Sequence, residues 1–172
     1  MSNQPVWLQQ QLQSSASALL WAVEQHPHEN FYVPPRPDRW SVARSVFHMV
    51  TYEQRLALPS LLQWDGGSQP IVGGEQEETV HEEQAWDGGS AHAMSALIAD
   101  FNAVRTQQIE ALSHLDEQGW HEGRDTVWGI RTLTWVVTKT YQHTLEHTNE
   151  ILRAYLWWGK YHPVSMTSTD AQ

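Results

Sequence analysis

Two histidines four residues apart carry the sharpest chemical signal in this chain: His143 and His147, in the stretch His143-Thr-Leu-Glu-His147. Residues four apart share one face of a helix. Two imidazoles so placed can grip a single metal ion. The spacing fits equally well two histidines satisfied by ordinary hydrogen bonds, because ten histidines in one chain make chance pairings easy. The surroundings argue for the metal. On a helix the pair shares its face with Val136, Thr140, Ile151 and Ala154, where an imidazole must find a partner or bear a desolvation penalty. Cysteine is absent, which excludes disulfides, thiolate nucleophiles and thiolate ligands. Any metal must be held by nitrogen and oxygen.

A third ligand must come from elsewhere in the chain. His48 is the best candidate, because Phe47-His48-Met49 lies inside a helical pattern. His26, His28, His81, His92, His114, His121 and His162 fall in predicted loops or near helix ends. One feature counts against His48. On a helical wheel it sits off the Val46–Val50 stripe, beside Arg44, Tyr52 and Arg55. A solvent-facing histidine fits that position too.

The elements that must position these residues read as four helices. The first is predicted from about Pro5 to His26, with Pro5 suited to a first turn and Leu8, Leu12, Leu19 and Val23 in an apolar stripe. A proline-rich connector follows, from Pro27 to Trp40. The second helix starts at Ser41, a good N-cap residue, and fades near Trp64, with Pro59 set to kink or end its last turn. From Asp65 to Gly89 the chain is glycine-rich and acidic, and it is read as a long loop that could cover one mouth of a pocket. The third helix is predicted from about Ser90 to Leu115, followed by a polar connector from Asp116 to about Arg131. The fourth runs from about Thr132 to Trp158, apolar on several sides and therefore largely buried, with Gly159 as its stop. No strand pattern is evident, so the fold class is an all-α bundle. One domain over residues 1–162 is expected, with a disordered tail over 163–172.

Bulk properties bound the function. The chain has 172 residues and a formal charge of −10, which argues against nucleic acid, whose phosphates demand a basic footprint. No run approaches the ~20 apolar residues that a membrane span requires. The start, MSNQPVWLQQ, has no basic segment leading into an apolar one. A cytoplasmic location is expected.

Arg36-Pro37-Asp38-Arg39-Trp40-Ser41-Val42, followed by His48 and Glu53, resembles the second-helix signature of the DinB/YfiT-like family. Trp120, Gly129, Thr132-Leu133, His143 and His147 resemble the order and spacing of that family's last helix. The resemblance covers the chain from about Pro5 to Trp158. It implies an up-and-down four-helix bundle with a divalent metal, commonly zinc or nickel, on His48, His143 and His147. The acidic loop over 65–89 is longer than is usual in the family.

Three histidines and an open position describe a catalytic rather than a structural site. A zinc ion so held can lower the pKa of water to about 7 or polarise a substrate oxygen. Nitrogen ligation also fits nickel or iron. Glu146 and Glu150 lie near the ligand face and could accept the histidines' other N–H groups. Glu53 is a candidate for the same support or for a general base. Tyr52 and Arg55, on the face of His48, are candidates to bind or orient an anionic substrate. Each of the three could equally be an ordinary helical side chain. The resemblance implies a metal-dependent hydrolase or a transferase using a low-molecular-weight thiol such as bacillithiol or mycothiol, acting on a small-molecule substrate. A non-catalytic binding bundle is the alternative. A structural protein is another, since Trp157 and Trp158 could mark a surface for self-association as a homodimer.

Overall fold

The first apolar stripe closes on itself every three to four residues, and it forms a helix. The computed structural model describes residues 4–66, 74–86 and 92–161. In it, α1 (Gln4–Glu24) buries Leu8, Leu12, Ala16, Leu19 and Val23 along one side. The proline-rich connector after it, a series of turns with a 3-10 turn at His28–Asn30, leads to α2 (Val42–Tyr52). Ser41 caps α2 as expected: its hydroxyl accepts the amide N–H of Arg44 at 3.2 Å. A π-helical turn over Glu53–Ala57 and the short α3 (Leu58–Leu61) prolong the same path. Pro59 therefore does not end the helix. It sits in the first turn of α3, where its missing N–H costs little.

The segment between Asp65 and Gly89, read as loop, contains a helix. α4 spans Glu75–Ala85. Glutamate is a good helix former, and Glu75, Glu77 and Glu78 in its first turn complement the positive end of the helix dipole. Apolar periodicity could not reveal α4, because its buried residues are Glu78 and Glu82 while Val80 is exposed.

α5 (Met94–Ser113) and α6 (Leu133–Tyr161) complete the helical frame. The predicted start of the third helix at Ser90 and the predicted tail over 163–172 lie outside the described residues. Gly159 does not stop α6, which runs through it to Tyr161. The polar connector before α6 also differs from expectation. It holds an antiparallel hairpin, β1 (Gly123–Thr126) paired with β2 (Gly129–Thr132), in register Gly123 to Thr132 and Thr126 to Gly129. Gly129 has φ of +79°, a conformation that favours glycine at the exit of this two-residue turn. The strands are four residues long and mostly exposed, so no alternating apolar pattern announced them. The chain is mostly helical, with this one small sheet among the described residues.

α1 lies along α6 and touches α5, and α2 packs on α5 and α6. Two large apolar clusters result, beside a small one of Tyr52, Leu56 and Ala57. One gathers Leu19, Val23, Val46, Met49, Phe101 and Ile151. The other gathers Leu8, Leu12, Leu61, Leu112, Trp120, Leu133 and Val136. Each fully buried Leu, Ile or Val side chain contributes about 1.5–3 kcal/mol. On three of these helices, and at the π turn, a buried polar residue falls between the two clusters. Ser15 does so on α1, Arg105 on α5 and Thr144 on α6, with Glu53 at the π turn. Arg105 ties this layer together. It pairs with the Glu53 carboxylate and donates to Leu12 O at 2.8 Å and to Thr144 Oγ1 at 2.9 Å.

Candidate metal centre

His143 stands next to Thr144 of that polar layer, one turn before His147 on α6, and the two rings lie 4.6 Å apart. α2 brings His48 to them. His48 Nε2 is 3.1 Å from His143 Nε2, and His147 Nε2 is 3.2 Å from His143 Nε2. Ligand atoms of all three lie within 4.8 Å of one another. A tetrahedral ion with bonds of about 2.1 Å separates its ligand nitrogens by about 3.4 Å, close to these spacings.

The other ring nitrogens fit the same reading. His48 Nδ1 is 2.7 Å from Glu82 Oε2. His147 Nδ1 is 2.9 Å from the half-exposed Glu150 Oε2, an ion-pair distance without the alignment of a hydrogen bond. A carboxylate beside Nδ1 favours the tautomer protonated there and leaves the Nε2 lone pair for a ligand role. His143 Nδ1 is buried with no hydrogen-bond partner among the described residues. Burial, and then the neighbouring charges of His147 and His48, push the His143 imidazole down to about 2, so it stays neutral. Three nitrogens converge, one of them on a ring that cannot take a proton at ordinary pH. That set fits a borderline divalent cation such as zinc or nickel.

Aromatic rings frame the cluster. Trp40 stacks on His147 with ring planes 5° apart and centroids separated by 6.1 Å. The Tyr52 ring lies 3.8 Å from that of His143. Its hydroxyl is buried without a partner among the described residues. Burial, helped by the charges of Glu75, Glu53 and Glu146, raises its pKa well above the usual phenol range. Tyr52 is therefore a hydrogen-bond donor, not a base.

Two cavities reach the histidines, one at His147 and one at His143. One, of about 210 Å³, has Arg39, Trp40, Trp157 and Glu150 around His147. The other, of about 290 Å³, has Tyr52, Glu75, Glu78, Glu82 and Lys139 around His143.

The remaining sequence candidates are placed elsewhere. The Glu53 carboxylate is fully buried and pairs with Arg105, so it supports the core rather than the imidazoles. Burial raises its pKa against the opposing pull of Arg105. Arg55 is paired with Glu78 at the rim of the larger cavity, its Nη2 3.0 Å from Glu78 Oε1. Of the two glutamates on α6, Glu150 meets a histidine and Glu146 is exposed. Trp157 lies beneath Arg36 and Arg39, each 5.2 Å from its ring.

The helical face that carries His48 is not the solvated edge that its position off the apolar stripe suggests. Arg44 and Tyr52, read as a polar edge, are 4% and 6% exposed, because α4 covers that face with glutamates. Glu82 was missed for the same reason. The signal available was its place in an acidic run able to form a helix.

A model of the DinB superfamily matches residues 11–151, a span that contains all three histidines. The chain belongs to the DinB superfamily. No match to it is found among curated proteins. Within this DinB superfamily protein, the three histidines at the positions expected from the resemblance form a group that could hold a metal ion. Among the described residues no helix is long and apolar enough to cross a membrane.

Proposed function

We propose that this DinB superfamily protein is a metal-dependent enzyme in which His48, His143 and His147 hold one divalent cation, zinc or nickel. The observation that carries the reading is the convergence of three Nε2 atoms, with 3.1 and 3.2 Å between neighbours. When bound, the cation supplies Lewis acidity toward a substrate oxygen or the sulfur of a low-molecular-weight thiol.

The chain's own residues supply the rest. Glu82 holds the outer nitrogen of His48 and so aims that ring, and Glu150 sets a carboxylate 2.9 Å from the outer nitrogen of His147. Trp40 and Tyr52 shield the cluster from water, which strengthens every charge interaction inside it. The Tyr52 hydroxyl, with no partner among the described residues, donates a hydrogen bond to a substrate oxygen entering the larger cavity. Lys139 on the same wall offers a positive charge to an anionic group, although it is shared with Glu75 at 3.2 Å. Cavities of this size suit a small molecule. Hydrolysis and thiol transfer both use these groups, and the substrate decides between them.

The packing of α1, α2, α5 and α6 supports an up-and-down four-helix bundle with residues 1–162 as its single domain. Trp7 and Trp21 on α1 are 51% and 55% exposed, and Leu156 on α6 is 68% exposed. These support a homodimer, which light scattering tests.

The decisive experiment is metal analysis of the purified protein beside a His143→Ala, His147→Ala variant. About one divalent ion per chain is expected in wild type and almost none in the variant. Equally low metal in both refutes the site. Metal with no turnover on ester, amide and thiol-conjugate panels moves the protein to the class of binding modules.

A further inference from the structure

α4 is docked the wrong way round for a surface helix: Val80 is 56% exposed, while Glu78 and Glu82 are 7% and 6% exposed. Its inner face is held by charge. Glu75 accepts the Nε1–H of Trp128 at 2.6 Å and lies 3.2 Å from the Lys139 ammonium. Glu78 pairs with Arg55. Glu82 forks, with Oε1 2.8 Å from Arg44 Nη2 and Oε2 2.7 Å from His48 Nδ1. Those partners come from α2, the π turn, the hairpin and α6, the elements that surround the histidines. α4 is also one wall of the larger cavity, facing Tyr52 and His143. In the sequence, Gly73-Gly74 precede it and Gly88-Gly89 follow it.

We propose that α4 is an ion-paired strap that assembles the metal centre, with Glu82 as the positioning residue for His48. This rests on the three-histidine reading and goes beyond it. Affinity for the ion then depends on the docking of a helix that contributes no ligand.

The physical reason lies in the position of His48 on α2. His48 is off the apolar stripe, and although Trp40 lies against its ring at 5.1 Å between centroids, an aromatic contact does not choose between its two ring nitrogens. A ring free to turn, or to carry its proton on either nitrogen, offers Nε2 to the other histidines only part of the time. Arg44 anchors one oxygen of Glu82, and the other oxygen holds the Nδ1–H of His48. That fork selects one tautomer and one ring orientation before any ion arrives.

The test compares wild type with Glu82→Gln, Glu82→Ala and Glu83→Gln. Glu83 is the control: it is the exposed second partner of Arg44, 3.1 Å away, and its carboxylate contacts no histidine in the described contacts. Zinc affinity is measured by competition with a chromophoric chelator. The His48 tautomer is read in the metal-free proteins from nitrogen-15 NMR of the imidazoles. The Glu82 variants are expected to bind zinc about 10–100-fold more weakly, and Glu83→Gln within about twofold of wild type. Metal-free wild type is expected to show His48 protonated at Nδ1, and Glu82→Ala a mixture of tautomers. Zinc affinity within about twofold of wild type in both Glu82 variants overturns the proposal. So does equal weakening by Glu82→Gln and Glu83→Gln, which would mark α4 as scaffold only. If wild type binds no zinc, the three-histidine reading fails by itself. The metal-free NMR comparison still decides on Glu82, and an unchanged tautomer in Glu82→Ala overturns its role.

Discussion

Replacing Glu53 with alanine should cost the metal-free fold about 3–5 kcal/mol, the range for breaking a buried ion pair from one side. The side chains of Glu53 and Arg105 are 0% and 3% exposed. Without the carboxylate, the Arg105 cation is left with uncharged partners, among them Leu12 O at 2.8 Å, Thr144 Oγ1 at 2.9 Å and the Phe101 ring at 5.3 Å. In a chain of this size each kcal/mol moves Tm by about 2–4 °C, so a fall of roughly 6–20 °C is expected. The pair is not a large net stabiliser, since burial pushes the Glu53 carboxyl upward even with Arg105 beside it. Removing both charges should therefore be mild. Glu53→Leu combined with Arg105→Met is expected within about 1 kcal/mol of wild type, because the desolvation penalty leaves with the charges. Urea unfolding of both singles and the double, followed by tryptophan fluorescence at constant m, closes the cycle. Two results refute the reasoning. One is a Glu53→Ala cost below about 1 kcal/mol. The other is a double variant whose loss equals the sum of the singles, which would mean that no energy couples the two side chains.

Three further outcomes follow from the site. Zinc at about 100 times its Kd should stabilise wild type by about 2.7 kcal/mol, a Tm rise of roughly 5–10 °C; calorimetry should find it abolished by chelator and absent from the His143→Ala, His147→Ala variant. His143 sits at about 2 in the fold against 6.5 in the unfolded chain, so between those values the unfolded state binds the extra proton. The sign follows: this contribution is intact above pH 6.5 and is lost as pH falls toward about 2, at about 1.4 kcal/mol per pH unit for one proton. Urea midpoints of the metal-free protein from pH 7 downward should show that slope, and His143→Asn should flatten it. Tyr52→Phe removes a buried hydroxyl with no partner among the described residues, so stability should hold or rise by about 1 kcal/mol. Turnover should fall about 10²-fold if the hydroxyl donates to the substrate; a thermal melt and a rate on the same sample check both halves.

The parts of the fold that the sequence announced are those built on apolar repetition. Leu8, Leu12, Leu19 and Val23 give away α1, and Ser41 marks the start of α2, because these residues act through local geometry and burial. His143 and His147 were legible for the same reason, since a spacing of four is a statement about one helix. What stayed hidden is held by charge or by short exposed turns. α4 buries Glu78 and Glu82, so its pattern is inverted. The hairpin is mostly exposed, so it has no pattern to read. Glu53 carried a misleading signal. Its position after His48 suggested a role at the histidines, and the π turn that begins there directs it to Arg105 instead.

Two of these misreadings, α4 and Glu53, share one physical cause, and it bears on how the site works. Between its two apolar clusters the protein carries a layer of charges and hydroxyls, and a second set of charges lies under α4. Apolar burial is tolerant of small shifts, whereas a buried carboxylate needs its cation at hydrogen-bonding distance. The three histidines stand between the two charged sets. Arg105 grips Thr144, the neighbour of His143, from the core side. Glu82 grips His48 from the α4 side. Imidazoles that must meet at one point to within a few tenths of an ångström are thus held by directional contacts on both sides. A substitution in either charged set should therefore reach metal affinity as well as stability, whereas an apolar swap of similar volume in the clusters should change stability alone.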